Sequence, residues 1–195
     1  MYPVIWKLTT KKHIFLVLLA TALLSYFNNG LAQPCDTCRV NVLFKGEYVD
    51  ATCNISVNSG NNSGTITMPT LSTNRLSHDG VEAGGTQFSI ALKDCPPDRI
   101  VTVRFISNIS LPDNETGNLQ NDAGSENSRN VQIRIRKENG SQIKIDDTDS
   151  GQDYQIPSSS EEIKHFYTAS YYAKGNSAVT SGLVKSTAGI DLIYK

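Results

Sequence analysis

Apolar and polar residues alternate with a period of two through most of the chain beyond residue 40. Phe88-Ser-Ile90-Ala-Leu92, Val101-Thr-Val103-Arg-Phe105 and Val131-Gln-Ile133-Arg-Ile135 are the clearest cases. Each directs one set of side chains to a covered face and the other away from it, as a half-buried strand does. Further strands are predicted over residues 40–44 and 47–53, broken by Gly46, and over residues 65–68, 166–173 and 182–194. Between them lie loops dense in Asn, Asp, Gly and Ser, notably residues 112–130 and 146–160. No segment holds a helical period for more than two turns. Regularly spaced strands with turn chemistry between them predict an all-β sandwich.

The first thirty-two residues follow a different pattern. Lys7, Lys11, Lys12 and His13 precede an apolar run over residues 14–24, and the small-residue sequence Gly30-Leu31-Ala32 follows. This is the layout of a secretory signal peptide, cleaved after Ala32. The apolar run has eleven residues, below the roughly 18–20 that a spanning helix needs, so no membrane insertion of the mature form is expected. The chain has 195 residues, and cleavage leaves 163, enough for one domain with a core. With fifteen basic and nineteen acidic residues the mature chain carries a net charge of −4 and has no basic run. Nucleic-acid binding is therefore not expected.

All four cysteines, Cys35, Cys38, Cys53 and Cys95, follow the cleavage site, which in an oxidising compartment favours disulfides. Three pairings are open, and spacing does not choose among them. Cys35-Asp-Thr-Cys38 has zinc-ligand spacing but lacks a second close ligand pair, and His78 and His165 stand alone. Asp146-Asp147-Thr-Asp149 is rich in oxygen but lacks the glycine and terminal glutamate of an EF-hand loop, so a hairpin tip is expected there. The sequence suggests no catalytic constellation, metal site or cofactor, and no enzymatic activity is expected. Five Asn-x-Ser/Thr sequons, at Asn54, Asn61, Asn108, Asn114 and Asn139, would matter only after export from a eukaryotic cell.

Four stretches together resemble the pilin subunits of chaperone–usher fimbriae, the type 1 pilus group of Gram-negative bacteria. Phe44-Lys45-Gly46-Glu47 stands shortly before Cys53, and Phe88-Ser-Ile90-Ala-Leu92-Lys-Asp-Cys95 is similar to the family's second cysteine strand. Phe166-Tyr-Thr-Ala-Ser-Tyr171-Tyr172-Ala173 resembles the strand before the last. Tyr194 is penultimate and Gly182 stands fourteenth from the end, the spacing of the family's C-terminal motif.

The resemblance implies an incomplete immunoglobulin-like sandwich, six strands plus a donated one. Its organisation would be a signal peptide (1–32), an N-terminal extension acting as donor strand (33–43) and a pilin domain (44–195). The final strand would border a groove left by the missing strand. Its even-numbered residues, Gly182, Val184, Ile190, Leu192 and Tyr194 among them, share one face by parity, with Ile193 breaking the pattern. A periplasmic chaperone would fill this groove first and anchor the carboxylate of Lys195. The extension of a neighbouring subunit would then replace it, inserting Val40, Val42 and Phe44 by strand addition in trans. The resemblance also pairs Cys53 with Cys95. Cys35 and Cys38 depart from the usual two-cysteine pattern: they close on each other, pair between subunits or stay reduced. The implied function is a structural subunit of a surface fimbria that supports cell adhesion, with neighbouring pilins, a periplasmic chaperone and an outer-membrane usher as partners. The alternative is a self-sufficient secreted immunoglobulin-like module that recognises a sugar or receptor.

Overall fold

The computed structural model describes Leu43, Lys45 and residues 52–159 and 161–195. Cys35, Cys38, Val40, Val42 and Phe44 lie outside the described residues, as does the signal segment. The fold below belongs to the unit Tyr48–Lys195.

Two antiparallel sheets make up this unit. One contains β1 (Asn54–Val57), β2 (Glu82–Lys93), β8 (Ile163–Ala173), β5 (Val131–Lys137) and β4 (Leu119–Gln120) in that order, with β6 (Gln142–Ile143) also paired to β5. The other is β7 (Gln152–Ile156), β3 (Arg99–Ser107) and β9 (Ala188–Tyr194), with β3 in the centre. Among the described residues the single helical element is a 3-10 turn, Thr73–Leu76. The described residues thus form nine strands rather than six. Two of the extra elements, β4 and β6, are two-residue additions to β5.

The alternation seen in the sequence builds the core. Phe88, Ile90 and Leu92 from β2, Ile133 and Ile135 from β5, and Tyr167 and Ala169 from β8 meet Val101, Val103 and Phe105 from β3 and Tyr154 and Ile156 from β7. Phe88 stacks on Tyr167, its register partner, with centroids 5.4 Å apart, and Phe105 meets both rings edge-on from the opposite sheet. The sheets are also tied by polar contacts. The buried Tyr154 hydroxyl donates to the Ile90 carbonyl at 3.0 Å and lies 3.0 Å from the Tyr167 hydroxyl. Burial pushes both phenols above their ordinary titration range, so they stay neutral hydrogen-bonding groups. On the outer face of the large sheet, Glu82 receives Arg134 and Arg136 at 2.8 and 2.5 Å. Burial opposes its charge, but the two guanidiniums and Ser170 outweigh that and hold the carboxyl below its usual range.

Three expectations change. Residues 65–68 do not form a strand: they alternate between half-buried and exposed side chains but belong to no ladder. The loop expected over 146–160 contains β7, whose Tyr154 and Ile156 are core residues. The last strand covers Ala188–Tyr194, not 182–194.

Candidate functional site: the open side of the three-stranded sheet

Among the described residues β9 pairs only with β3, from Ala188 opposite Ser107 to Tyr194 opposite Val101. Its other backbone edge has no ladder partner. All seven of its residues are half-buried, whereas the core positions of β3 are fully covered. The even-numbered residues Ala188, Ile190, Leu192 and Tyr194 pack against the main core cluster, as parity requires, and so does Val184 before the strand. Ile193, on the other parity, is half-covered.

A second segment shares these properties. Ile66 and Met68 are half-buried and pack on the same core cluster, while Thr65, Thr67 and Pro69 are exposed. Among the described residues, the recorded backbone contact for residues 64–70 is the Tyr171 hydroxyl donating to the Pro69 carbonyl at 3.2 Å. Two segments thus pack alternate apolar side chains on the core while, among the described residues, part of their backbone has no ladder partner. Unpaired strand edges of this kind normally acquire a partner or are blocked. Of the two, only β9 is legible in the sequence: Thr65-Ile66-Thr67-Met68 alternates as a strand does, but alternation reports a covered face and not a ladder.

The ends of β9 are fixed in different ways. At its C-terminal end the Cys53 amide donates to the Tyr194 hydroxyl at 2.8 Å, and Cys53 is disulfide-bonded to Cys95. Cys53 precedes β1 and Cys95 follows β2, so this bond ties together the open ends of a strand pair in which Asn54 faces Lys93. The Lys195 amide donates to the Ile100 carbonyl at 2.9 Å, and its ammonium lies 3.1 Å from Asp153. The Thr102 hydroxyl, and after it Lys195, hold the Asp153 carboxyl below its usual range.

Before β9 the chain crosses to the other sheet. The Leu183 amide donates to the Glu126 carbonyl and the Ser128 amide to the Leu183 carbonyl, both at 2.9 Å. The Asp122 amide donates to the Lys185 carbonyl at 2.9 Å, and Ser186 Oγ to the Gln120 carbonyl at 2.7 Å. Gly182 thus lies outside the strand, and its role is close approach. A Cβ there would stand 2.6 Å from both the Glu126 carbonyl oxygen and the Ser128 amide nitrogen, at a φ of +152°.

The family model described as "Fimbrial protein" matches residues 42–195. The chain belongs to the fimbrial protein family. It is 30% identical over 156 residues to the S-fimbrial protein subunit SfaA of Escherichia coli O6:K15:H31 (strain 536 / UPEC), covering 79% of this chain and 82% of SfaA. It is 32% identical over 160 residues to the F17 fimbrial protein of Escherichia coli, covering 79% of this chain and 86% of that one. The crystal structure of the P pilus rod subunit PapA shares the fold, with a TM-score of 0.59 at 20% identity over 74% of this chain and all of PapA. The protein is accordingly a structural fimbrial subunit with a pilin-type immunoglobulin-like fold, from a family of surface-exposed structural proteins.

The other residues singled out in the sequence have local roles in this fimbrial subunit. His165 lies inside β8, where Nδ1 is 2.8 Å from Glu138 and the ring meets Tyr154 edge-on. Asp147 Oδ1 accepts the amides of Asp149 and Ser150 at 2.8 and 3.2 Å, closing a turn. Gly182→Ala is expected to destabilise the subunit by about 1–3 kcal/mol, since the added methyl meets backbone that cannot move aside as a side chain would. Chemical denaturation of the two proteins in parallel checks this, and equal midpoints would show that Gly182 is replaceable.

Proposed function

We propose that this fimbrial subunit polymerises by donor-strand exchange, completing its sandwich with residues 33–43 of a neighbouring subunit. The observation that supports the reading is that β9 along one edge, and residues 64–70, have no ladder partner among the described residues while both pack half-buried side chains on the same core. An inserted strand gains backbone hydrogen bonds along β9 worth about 1 kcal/mol each. It also buries apolar side chains at up to roughly 2 kcal/mol apiece, and Val40, Val42 and Phe44 are the side chains assigned to that task. Ordering the segment costs about 1–2 kcal/mol per residue, so the net gain is much smaller than the gross sum.

Before assembly the same edge is held by a periplasmic chaperone, which pairs along β9 and anchors the Lys195 carboxylate. An outer-membrane usher then delivers the subunit to the cell-surface fimbria. Passage through an oxidising periplasm is consistent with the Cys53–Cys95 disulfide. The domain organisation that goes with this reading is the signal peptide at 1–32, the donor extension at 33–43 and the pilin domain at 44–195.

The test is to refold residues 44–195, oxidised, with and without a peptide copying residues 33–44. A ligand present at 100 times its Kd stabilises by about 2.7 kcal/mol. In a domain of this size that raises Tm by roughly 5–10 °C. A domain that is already stable and indifferent to the peptide would instead be a self-sufficient binding module.

A further inference from the structure

Three exposed aliphatic side chains lie on the loops that lead out of β3 and into β9. Ile109, Leu111 and Leu183 are 70%, 67% and 63% exposed. Ser107 is the register partner of Ala188, so Ile109 lies two residues beyond the start of the β3–β9 ladder. Ser110, between the two exposed residues, is buried. Its amide donates to the Thr187 carbonyl at 3.3 Å, and its Oγ accepts the Thr187 amide at 2.7 Å and donates to Asp122 at 2.5 Å. Turning Ser110 inward fixes Ile109 and Leu111 outward. The Leu111 carbonyl accepts the Gln120 amide at 2.9 Å, and Asn121 Nδ2 donates to the Leu183 carbonyl at 3.0 Å. The three side chains are thus carried on one hydrogen-bonded platform. Their outward placement is imposed by the backbone and buried serine beneath them, and exposed apolar groups so held mark interaction surfaces.

We infer that Ile109, Leu111 and Leu183 dock a second copy of this chain, receiving residues 45–49 that follow its inserted Phe44. The inference rests on the donor-strand reading and adds where the donor's own body sits. Every strand ladder in both sheets is antiparallel, and a strand that completes the small sheet in the same sense runs antiparallel to β9. Its C-terminal end then leaves the groove beside Ala188, next to Ile109. The first residues of the donor's body to emerge there, beyond the inserted Phe44, include Tyr48 and Val49, both with large apolar surface. The apolar platform is therefore continuous with the groove at the one end where the neighbour must leave it. Phe166, also exposed, lies within β8 opposite Ser89, in the other sheet, and serves as a control.

The test places a photo-crosslinking amino acid at Leu111, Leu183 or Phe166 in the full chain and irradiates assembled fimbriae. The expected result is a covalent dimer of two copies from positions 111 and 183, joined within residues 45–49, and none from 166. Intact fimbriae that give no dimer from 111 or 183 overturn the inference. So does a dimer formed instead from a probe at Gln155, which lies at the Lys195 end of the sheet. The donor-strand reading fails separately, when the 33–44 peptide leaves the Tm of residues 44–195 unchanged. A peptide that stabilises while the crosslinks are absent removes the platform alone. As a second variant, Ile109→Ser/Leu111→Ser should retain the peptide-induced rise in Tm while losing the crosslink from position 183.

Discussion

A chain beginning at Phe44 should bind the chaperone and accept a donor peptide, yet be absent from the interior of fimbriae. The expectation follows from counting strands. On the donor-strand proposal, each interior subunit must both receive a strand beside β9 and donate one to its neighbour. Removing residues 33–43 abolishes donation but leaves β9, residues 64–70 and the core residues Ile66, Met68, Ile190, Leu192 and Tyr194 unchanged. A truncated copy can therefore be only terminal, with its groove filled and no groove to fill. Alone it gives no polymer. Mixed with the full chain and distinguished by an epitope tag, it should appear at most once per fibre, at one end. Electron microscopy of immunolabelled fibres reads this directly. Tag along the whole fibre, or polymers from the truncated chain alone with unchanged heat resistance, would defeat the donor-strand account.

The same arithmetic shows which features a sequence can disclose. The strands β2, β3, β5 and β8 were visible because each carries three or more apolar residues at spacing two, and the core residues Ile90, Val103, Ile133 and Tyr167 fall where that period puts them. β7 was read as loop because Gln152-Asp-Tyr-Gln-Ile156 offers only two apolar residues within a stretch of Asp, Ser and Gly. Its Tyr154 is nevertheless fully buried and hydrogen-bonded across the core. Residues 65–68 and 182–187 failed in the opposite direction. They are extended and alternate, but neither forms part of a named strand, because pairing depends on what stands beside a segment. In the first case nothing among the described residues stands there, and in the second the chain changes sheets. The candidate site was half legible for this reason. Residues of the C-terminal motif pointed to β9, whereas the second unpartnered segment became visible only once its lack of a ladder could be seen. Gly182 was placed in the right region with the wrong role, since close approach to the backbone of Glu126 and Ser128 leaves no trace in the alternation.

Replacing Cys53 and Cys95 together by alanine should cost about 4 kcal/mol. The bond closes a separation of 42 residues, and on a chain-entropy estimate the unfolded state gains about that much when it is released. Its position adds a structural reason. β1 has only four residues and pairs only with β2, so with the bond gone its register rests on the short ladder from Asn54–Lys93 to Val57–Ile90. Cys53 also donates its amide to the Tyr194 hydroxyl, so loosening β1 releases one end of β9, the edge strand proposed to receive the donor. In a domain of this size the loss lowers Tm by roughly 8–16 °C. The alanine pair is preferable to chemical reduction, which would act on Cys35 and Cys38 as well. If β1 and the Tyr194 end of β9 form one coupled unit, the variant should also bind the 33–44 peptide more weakly, since part of the binding energy must first restore β9. Equal peptide affinity in variant and parent, with the Tm still lowered, would show that the disulfide stabilises the fold without shaping the edge. An unchanged Tm would show that the unfolded chain is already confined by other contacts, leaving the disulfide little entropy to remove.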